Sequence, residues 1–227
     1  MNMNEKTPPY YLSPGEMISI EITERLKKIN DIYSKSKDFP KYMRETQDFF
    51  GLDEPQCTTE AQLFLGGFLE GEASLNLSAK KQQNSKFGIV LDPEFSITQH
   101  INGVKHLYNA LAIFKTGRIR YKSGSNATLV FTIDNRISLE DKVIPFYERY
   151  VVPYAAPSKC QRLRTFTKVV KLFKKNAHHD SEQFTNLMLP LWDDLRMQKG
   201  QSNQSFASLR EAQDYVKKFL NTKQIIS

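Results

Sequence analysis

Two glycines stand side by side in an otherwise apolar run, Leu63-Phe64-Leu65-Gly66-Gly67-Phe68-Leu69. The run opens at Thr59-Glu60-Ala61-Gln62, which fits a helix capping box in which Thr59 and Gln62 satisfy each other's orphaned backbone N–H groups. A glycine inside a helix costs about 1 kcal/mol relative to alanine. An apolar helix that carries two of them gains close backbone approach to another helix. At the end of the run Glu70 and Glu72 flank Gly71. A carboxylate is unfavourable at the negative end of a helix dipole. Carboxylates and free helix carbonyls together, however, make an oxygen-rich site for a hard divalent cation.

Period-2 patterns follow that helix. Leu75 and Leu77 alternate with Ser74, Asn76 and Ser78; Ile89, Leu91, Phe95 and Ile97 with Asp92, Glu94, Ser96 and Thr98. Ile119 and Tyr121 alternate with Arg118, Arg120 and Lys122; Leu129, Phe131 and Ile133 with Thr128, Val130 and Thr132. Each is the mark of a strand with one face on a core. Gly124-Ser125-Asn126 supplies the turn between the last two. Pro93 predicts a bulge or a sheet edge. Residues 102–114 read as a helix between the two hairpins, and the chain after Ser138 reads as helical, with breaks at 151–157, 176–181 and 200–206. The order of helix, two strands, helix, two strands and C-terminal helices predicts an α+β fold.

Ahead of this core, residues 1–16 read as an arm with Pro8, Pro9, Pro14 and Gly15. Residues 17–34 carry a helical apolar period, Pro40 breaks its continuation, and Tyr42 to Phe50 reads as a second helix closed by Gly51. The predicted organisation is a helical extension over 1–58 and a main domain over 59–227.

Charge narrows the partners. The chain of 227 residues has a net charge of +7. The excess gathers in Ser158–Lys175, where Lys159, Arg162, Arg164, Lys168, Lys171, Lys174 and Lys175 meet no acid. Such a cluster in core-forming sequence suits a polyanion, most often nucleic acid. The exposed sheet face would present Asn76, Ser78, Lys80, Asp92, Glu94, Ser96, Thr98, Arg118, Arg120, Lys122, Asn126, Thr128 and Thr132. Hydrogen-bonding side chains with embedded arginines are what reading base edges in a major groove requires, although an ordinary solvated face is also polar. No apolar run is long enough to span a bilayer, and no signal or transit peptide is read at the N-terminus. Cys57 and Cys160 are too few and too far apart for a disulfide framework, which points to a reducing, aqueous compartment. His178-His179-Asp180 reads as a surface turn because it lacks zinc-helix spacing.

Leu65-Gly66-Gly67-Phe68-Leu69-Glu70-Gly71-Glu72-Ala73 resembles the LAGLIDADG motif of homing endonucleases. FLEGEASLN, SKFGIV, DPEFSITQH, FKTGRIR, SGSNATLV, DNR and KVIPFY are similar to the single-motif, homodimeric enzymes encoded in introns of green-algal chloroplast large-subunit rRNA genes. The likeness runs from about Phe39 onward.

The resemblance implies a homodimer with Leu63, Gly66, Gly67 and Glu70 on the seam. It implies Glu72 as the metal carboxylate, assisted by Gly71, with Mg²⁺ or another divalent cation such as Mn²⁺ held across the axis. Gln99 then orients water, and Lys159 or Arg162 completes the site. One branch of the family has arginine four positions beyond the Gln99 equivalent, where this chain has Gly103. The expected partner is double-stranded DNA, cut on both strands at a long, roughly palindromic site with short 3′ overhangs. Neither a membrane nor a small-molecule cofactor is expected, and the implied location is the chloroplast. The competing readings are an RNA maturase for the host intron and a non-catalytic DNA-binding protein.

Overall fold

The computed structural model describes residues 10–196 and 205–226. The predicted arm residues Pro8 and Pro9, and most of the predicted 200–206 break, lie outside the described residues. The chain divides into two compact units: residues up to Ser74 with Ser96–Ile133, and Leu75–Phe95 with the chain from Asp134 onward.

The first unit opens with two helices whose limits are set by their caps. Helix α1 (Ile20–Ser36) starts where the Ser19 side chain accepts from the Ile22 N–H, and stops where Lys37 turns left-handed at φ 58°. Helix α2 (Phe39–Phe50) is capped by Asp38, whose carboxylate accepts from the Lys41 N–H at 3.0 Å. These bounds correct the expected 17–34 and 42–50. α1 ends ahead of Pro40, which sits in the first turn of α2, where a missing N–H costs nothing. Helix α3 (Thr59–Glu72) is capped one residue earlier than expected: Thr58 Oγ1 accepts from Ala61 N at 3.2 Å, and Gln62 Nε2 donates to the Cys57 carbonyl.

The strands are β1 (Ala73–Lys81), β2 (Ile89–His100), β3 (Arg118–Tyr121) and β4 (Thr128–Ile133). They form one sheet in the order β1-β2-β4-β3. β3 pairs antiparallel with β4, with Ile119 opposite Phe131. Pro93 lies inside β2, which is not an edge strand in that order, and its side chain is on the buried phase of the strand. The expectation of an edge at Pro93 is therefore corrected.

Helix α4 (Val104–Phe114) follows a 3₁₀ turn at Ile101–Gly103 and buries Val104, Leu107, Tyr108 and Leu111. Together with Leu26, Ile29, Leu69, Ile97, Leu129 and Phe131 these side chains make the first unit's core. Tyr33 stacks on Tyr42 at 4.5 Å between ring centroids, joining α1 to α2.

The second unit is mostly helical. After β4 come α5 (Arg136–Ser138), a π-helical turn at Leu139–Val143, α6 (Ile144–Tyr150) and α7 (Pro157–Lys174). Then come α8 (Ser181–Gln183), a π-helical turn at Phe184–Met188, α9 (Leu189–Arg196) and α10 (Leu209–Ile226). Phe95, Leu139, Val143, Phe166, Val169, Met188 and Leu189 are buried there, with Phe95 edge-on to Tyr147 at 5.9 Å. α7 and α10 both pack on α9. Among the described residues no helix is long and apolar enough to cross a membrane.

Candidate functional site

Glu72 is the last residue of α3, and β1 begins at the next position. It is exposed, as is Gly71. At 100° per residue, Leu65, Gly66 and Leu69 turn inward and are buried. Leu63, Gly67 and Gly71, spaced by four, are exposed. A Cβ built on Gly67 or Gly71 meets no atom within 4 Å. Phe64 beside them is 59 % exposed. Of the residues expected on a seam, Leu63 is exposed and Gly66 is buried within the chain, while Gly67 and Gly71 make an open notch. Glu70 is half-buried at the margin. No group of three or more His, Cys, Asp or Glu that could hold a metal occurs among the described residues. One chain thus offers the Glu72 carboxylate and nearby helix carbonyls. These are hard oxygen donors of the kind Mg²⁺ takes, but they are too few to complete its shell alone.

Gln99 stands half-exposed near the end of β2, and its Oε1 accepts from the His100 N–H at 2.8 Å. Its side chain lies directly against Gly103. A Cβ there would meet Gln99 Cγ at 2.6 Å and Cδ at 2.9 Å. The missing side chain at Gly103 leaves the space that Gln99 occupies.

Lys159 and Arg162 occupy the first turns of α7 in the second unit, whereas Glu72 and Gln99 belong to the first. Arg162 Nε donates to the Leu75 carbonyl at 2.8 Å and its Nη2 to Asn76 Oδ1 at 3.1 Å. Burial pulls its pKa below the ordinary guanidinium value, and Tyr147 acts in the opposite direction. Lys159 is half-exposed.

The expected polar sheet face is present with two corrections. In the second unit, Ser78 and Lys80 are exposed and Asn76, Asp92 and Glu94 half-exposed, with Lys80 Nζ 3.0 Å from Asp92 Oδ2. In the first, Arg120, Lys122 and Asn126 are exposed and Thr98, Arg118 and Thr128 half-exposed. Ser96 and Thr132 are buried, at 8% and 6% exposure. Short side chains on a sheet are covered by long neighbours, and Arg120 Nη2 donates to Thr132 Oγ1 at 2.6 Å. Arg118 is tied down as well, its Nη1 donating to Ser34 Oγ on α1 at 3.1 Å.

Sequence periodicity missed three members of the polar face's surroundings. Arg136, Trp192 and Arg196 line, with Asn76, Lys80 and Glu94, a cavity of about 850 Å³ in the second unit. The Arg136 guanidinium lies 3.8 Å from the Phe173 ring centroid. Arg196 is bound by Asp193 at 2.6 Å and lies over the Trp192 ring. The i, i+4 spacing of Trp192 and Arg196 was the available signal, but nothing in it indicated a shared wall with a strand.

The basic cluster sorts by face. Lys174 pairs with Glu140 at 2.9 Å. Arg164, Lys168, Lys171 and Lys175 follow one line along α7 and are exposed, with no ion pair among the described residues.

Comparison with known proteins gives concordant results. The family model described as LAGLIDADG endonuclease matches residues 65–180. The protein named DNA endonuclease I-CeuI from Chlamydomonas moewusii is 57% identical over 210 residues, 92% of this chain and 96% of that one. The structure of the group I intron-encoded homing endonuclease I-CeuI complexed with DNA aligns with a TM-score of 0.87, covering 91% of this chain and 100% of that chain. The archaeal intron-encoded homing endonuclease I-Vdi141I complexed with DNA aligns at 0.61 and 26% identity, over 70% of this chain and 96% of that one.

Proposed function

The chain belongs to the LAGLIDADG endonuclease family, and from that premise we propose that it is a site-specific DNA homing endonuclease acting as a homodimer. The observation that carries the reading is the near full-length alignment, at TM-score 0.87, with a homing endonuclease bound to DNA.

The carboxylate of Glu72, with the Gly71 carbonyl, would hold a divalent cation, Mg²⁺ or Mn²⁺. When bound, that ion supplies activation of water and neutralisation of charge on the phosphate. Gln99, held by the His100 N–H and seated on Gly103, orients water through its amide. Arg162 is engaged with β1 through two donors, so its role is to hold that strand, and Lys159 is assigned the cation beside the phosphate. The exposed residues of the sheet face read base edges, and the α7 row adds phosphate attraction that is independent of sequence.

A single motif per chain demands two chains for a symmetric site. The open stripe of Leu63, Gly67 and Gly71 is suited to close approach by a second α3. A two-fold protein then takes a roughly palindromic target. Residues 1–58 form the extension and 59–227 the endonuclease domain. By its likeness to an algal enzyme, the chain's proposed home is an algal chloroplast and its target a large-subunit rRNA gene.

The test is incubation with large-subunit rRNA gene DNA, with Mg²⁺ or with a chelator. One metal-dependent double-strand cut with short 3′ ends is expected. Binding without a cut, or binding only to intron RNA, overturns the reading and favours a DNA-binding protein or a maturase.

A further inference from the structure

β3 is the outer strand of the sheet, and the backbone of Ile119 is met by side chains from the extension. Its N–H donates to Tyr42 Oη at 2.9 Å. Tyr42 Oη donates in turn to Asn30 Oδ1 at 3.2 Å. Asn30 Nδ2 donates to the Ile119 carbonyl at 2.9 Å and to the Leu26 carbonyl at 2.8 Å. The result is a closed ring in which one tyrosine and one asparagine satisfy both backbone groups of a single residue, as a further strand would. Tyr42 and Asn30 are buried, at 1% and 7% exposure. Burial pushes the Tyr42 hydroxyl up to about 12, which keeps its proton in place for the ring.

Ile119 sits between Arg118 and Arg120. Arg118 is held again from the same side, by Ser34 of α1. Three residues of the extension therefore grip the strand at and beside its two arginines, and none of them needs to touch DNA to do so. An unpaired edge strand is free to fray and twist, and a strand that twists carries its side chains with it.

We propose that Asn30, Tyr42 and Ser34 are specificity-positioning residues: the α1–α2 extension substitutes for a missing edge strand and thereby fixes the aim of Arg118 and Arg120 at the target bases. This rests on the reading of the sheet face as the DNA interface.

The experiment uses the full chain and a target library randomised along one half-site. Arg118→Ala and Arg120→Ala first define which target positions β3 reads. Tyr42→Phe removes the shared hydroxyl, and Ser34→Ala, at a half-exposed site, loosens Arg118 without opening the ring. Leu189→Ala, in the second unit's core, serves as the destabilised comparison, and all variants are assayed well below their melting temperatures. At the positions defined by the arginines, Tyr42→Phe and Ser34→Ala should lower the preferred-to-next-base cleavage ratio by roughly 3- to 10-fold. Leu189→Ala should leave the ratio unchanged. Amide exchange at Ile119 should quicken by about tenfold or more in Tyr42→Phe and not in Ser34→Ala. Unchanged base ratios in both variants, or an equal change in Leu189→Ala, overturn the proposal. If neither arginine variant alters any base preference, the DNA reading of β3 falls and the proposal falls with it. The Ile119 exchange rate then reports the brace as a purely structural one.

Discussion

Arg162 reaches from the second turn of α7 to two consecutive residues of β1, its Nε to the Leu75 carbonyl and its Nη2 to the Asn76 amide oxygen. The contact fixes which end of the Asn76 amide faces Arg162, and it holds the strand that follows Glu72. Arg162→Ala should therefore lower stability by about 1–3 kcal/mol, since charged hydrogen bonds to partly buried acceptors are lost. Cleavage should fall with it. Lys159→Ala should lower cleavage further than its melting temperature alone accounts for. Thermal melts alongside single-turnover rates separate the two, and a melting loss in Lys159→Ala with none in Arg162→Ala would reverse the assignment.

Glu72→Gln keeps the shape of the side chain and removes its charge. Cleavage in Mg²⁺ should become undetectable while DNA affinity in a gel-shift assay stays within a few-fold. Retained cleavage would place the metal carboxylate elsewhere.

Gly103 has an ordinary backbone conformation at φ −98°, so alanine there is strained only by what its Cβ meets. It meets the Gln99 side chain. Gly103→Ala should displace the glutamine and slow cleavage by about tenfold or more, because catalysis is steeply sensitive to misplaced groups. Binding should be unaffected, which pairs a rate measurement with an affinity measurement on one variant.

Changing Arg164, Lys168, Lys171 and Lys175 together to glutamine tests the α7 row. If each neutralises one phosphate, the slope of log affinity against log salt should flatten by up to about 0.9 per side chain. Base preference should not move. An unchanged slope would make the row a solvated helix face.

His178 has its pKa pushed down to about 4 by burial, then by His179 and Arg136. Its folded value lies below the unfolded one, so the unfolded chain binds the extra proton between them. The contribution is present above about pH 6.5 and is lost as the pH falls from there toward about 4. His178→Asn should therefore show a smaller drop in melting temperature between pH 7 and pH 4.5 than the natural chain. Parallel curves would remove His178 from the acid response.

Much of this architecture is legible in residue order. The four strands and α4 follow from alternation and helical period, because both report a single buried face. The limits of α1 and α2 are not legible in the apolar period, because Ser19, Lys37 and Asp38 set them through cap geometry. Thr58 and Thr59 are both competent caps, and only the fold chooses. Ser96 and Thr132 keep the polar phase of their strands yet are buried, since period-2 reasoning cannot see a long neighbour such as Arg120 lying across a short one. Gly66 and Gly67 look alike in sequence, but a rotation of 100° sends one inward and leaves the other open. The grip of Asn30 and Tyr42 on Ile119 spans 89 and 77 positions, and no local pattern encodes it.

That grip also bears on how the chain could be shortened. A polypeptide trimmed to begin at the glycine helix would keep its motif and all four strands, yet would release a bare ladder rung beside Ile119. Such margins recruit one another. The trimmed protein should be poorly soluble before it is poorly active, so a failed minimal version would say more about self-association than about chemistry.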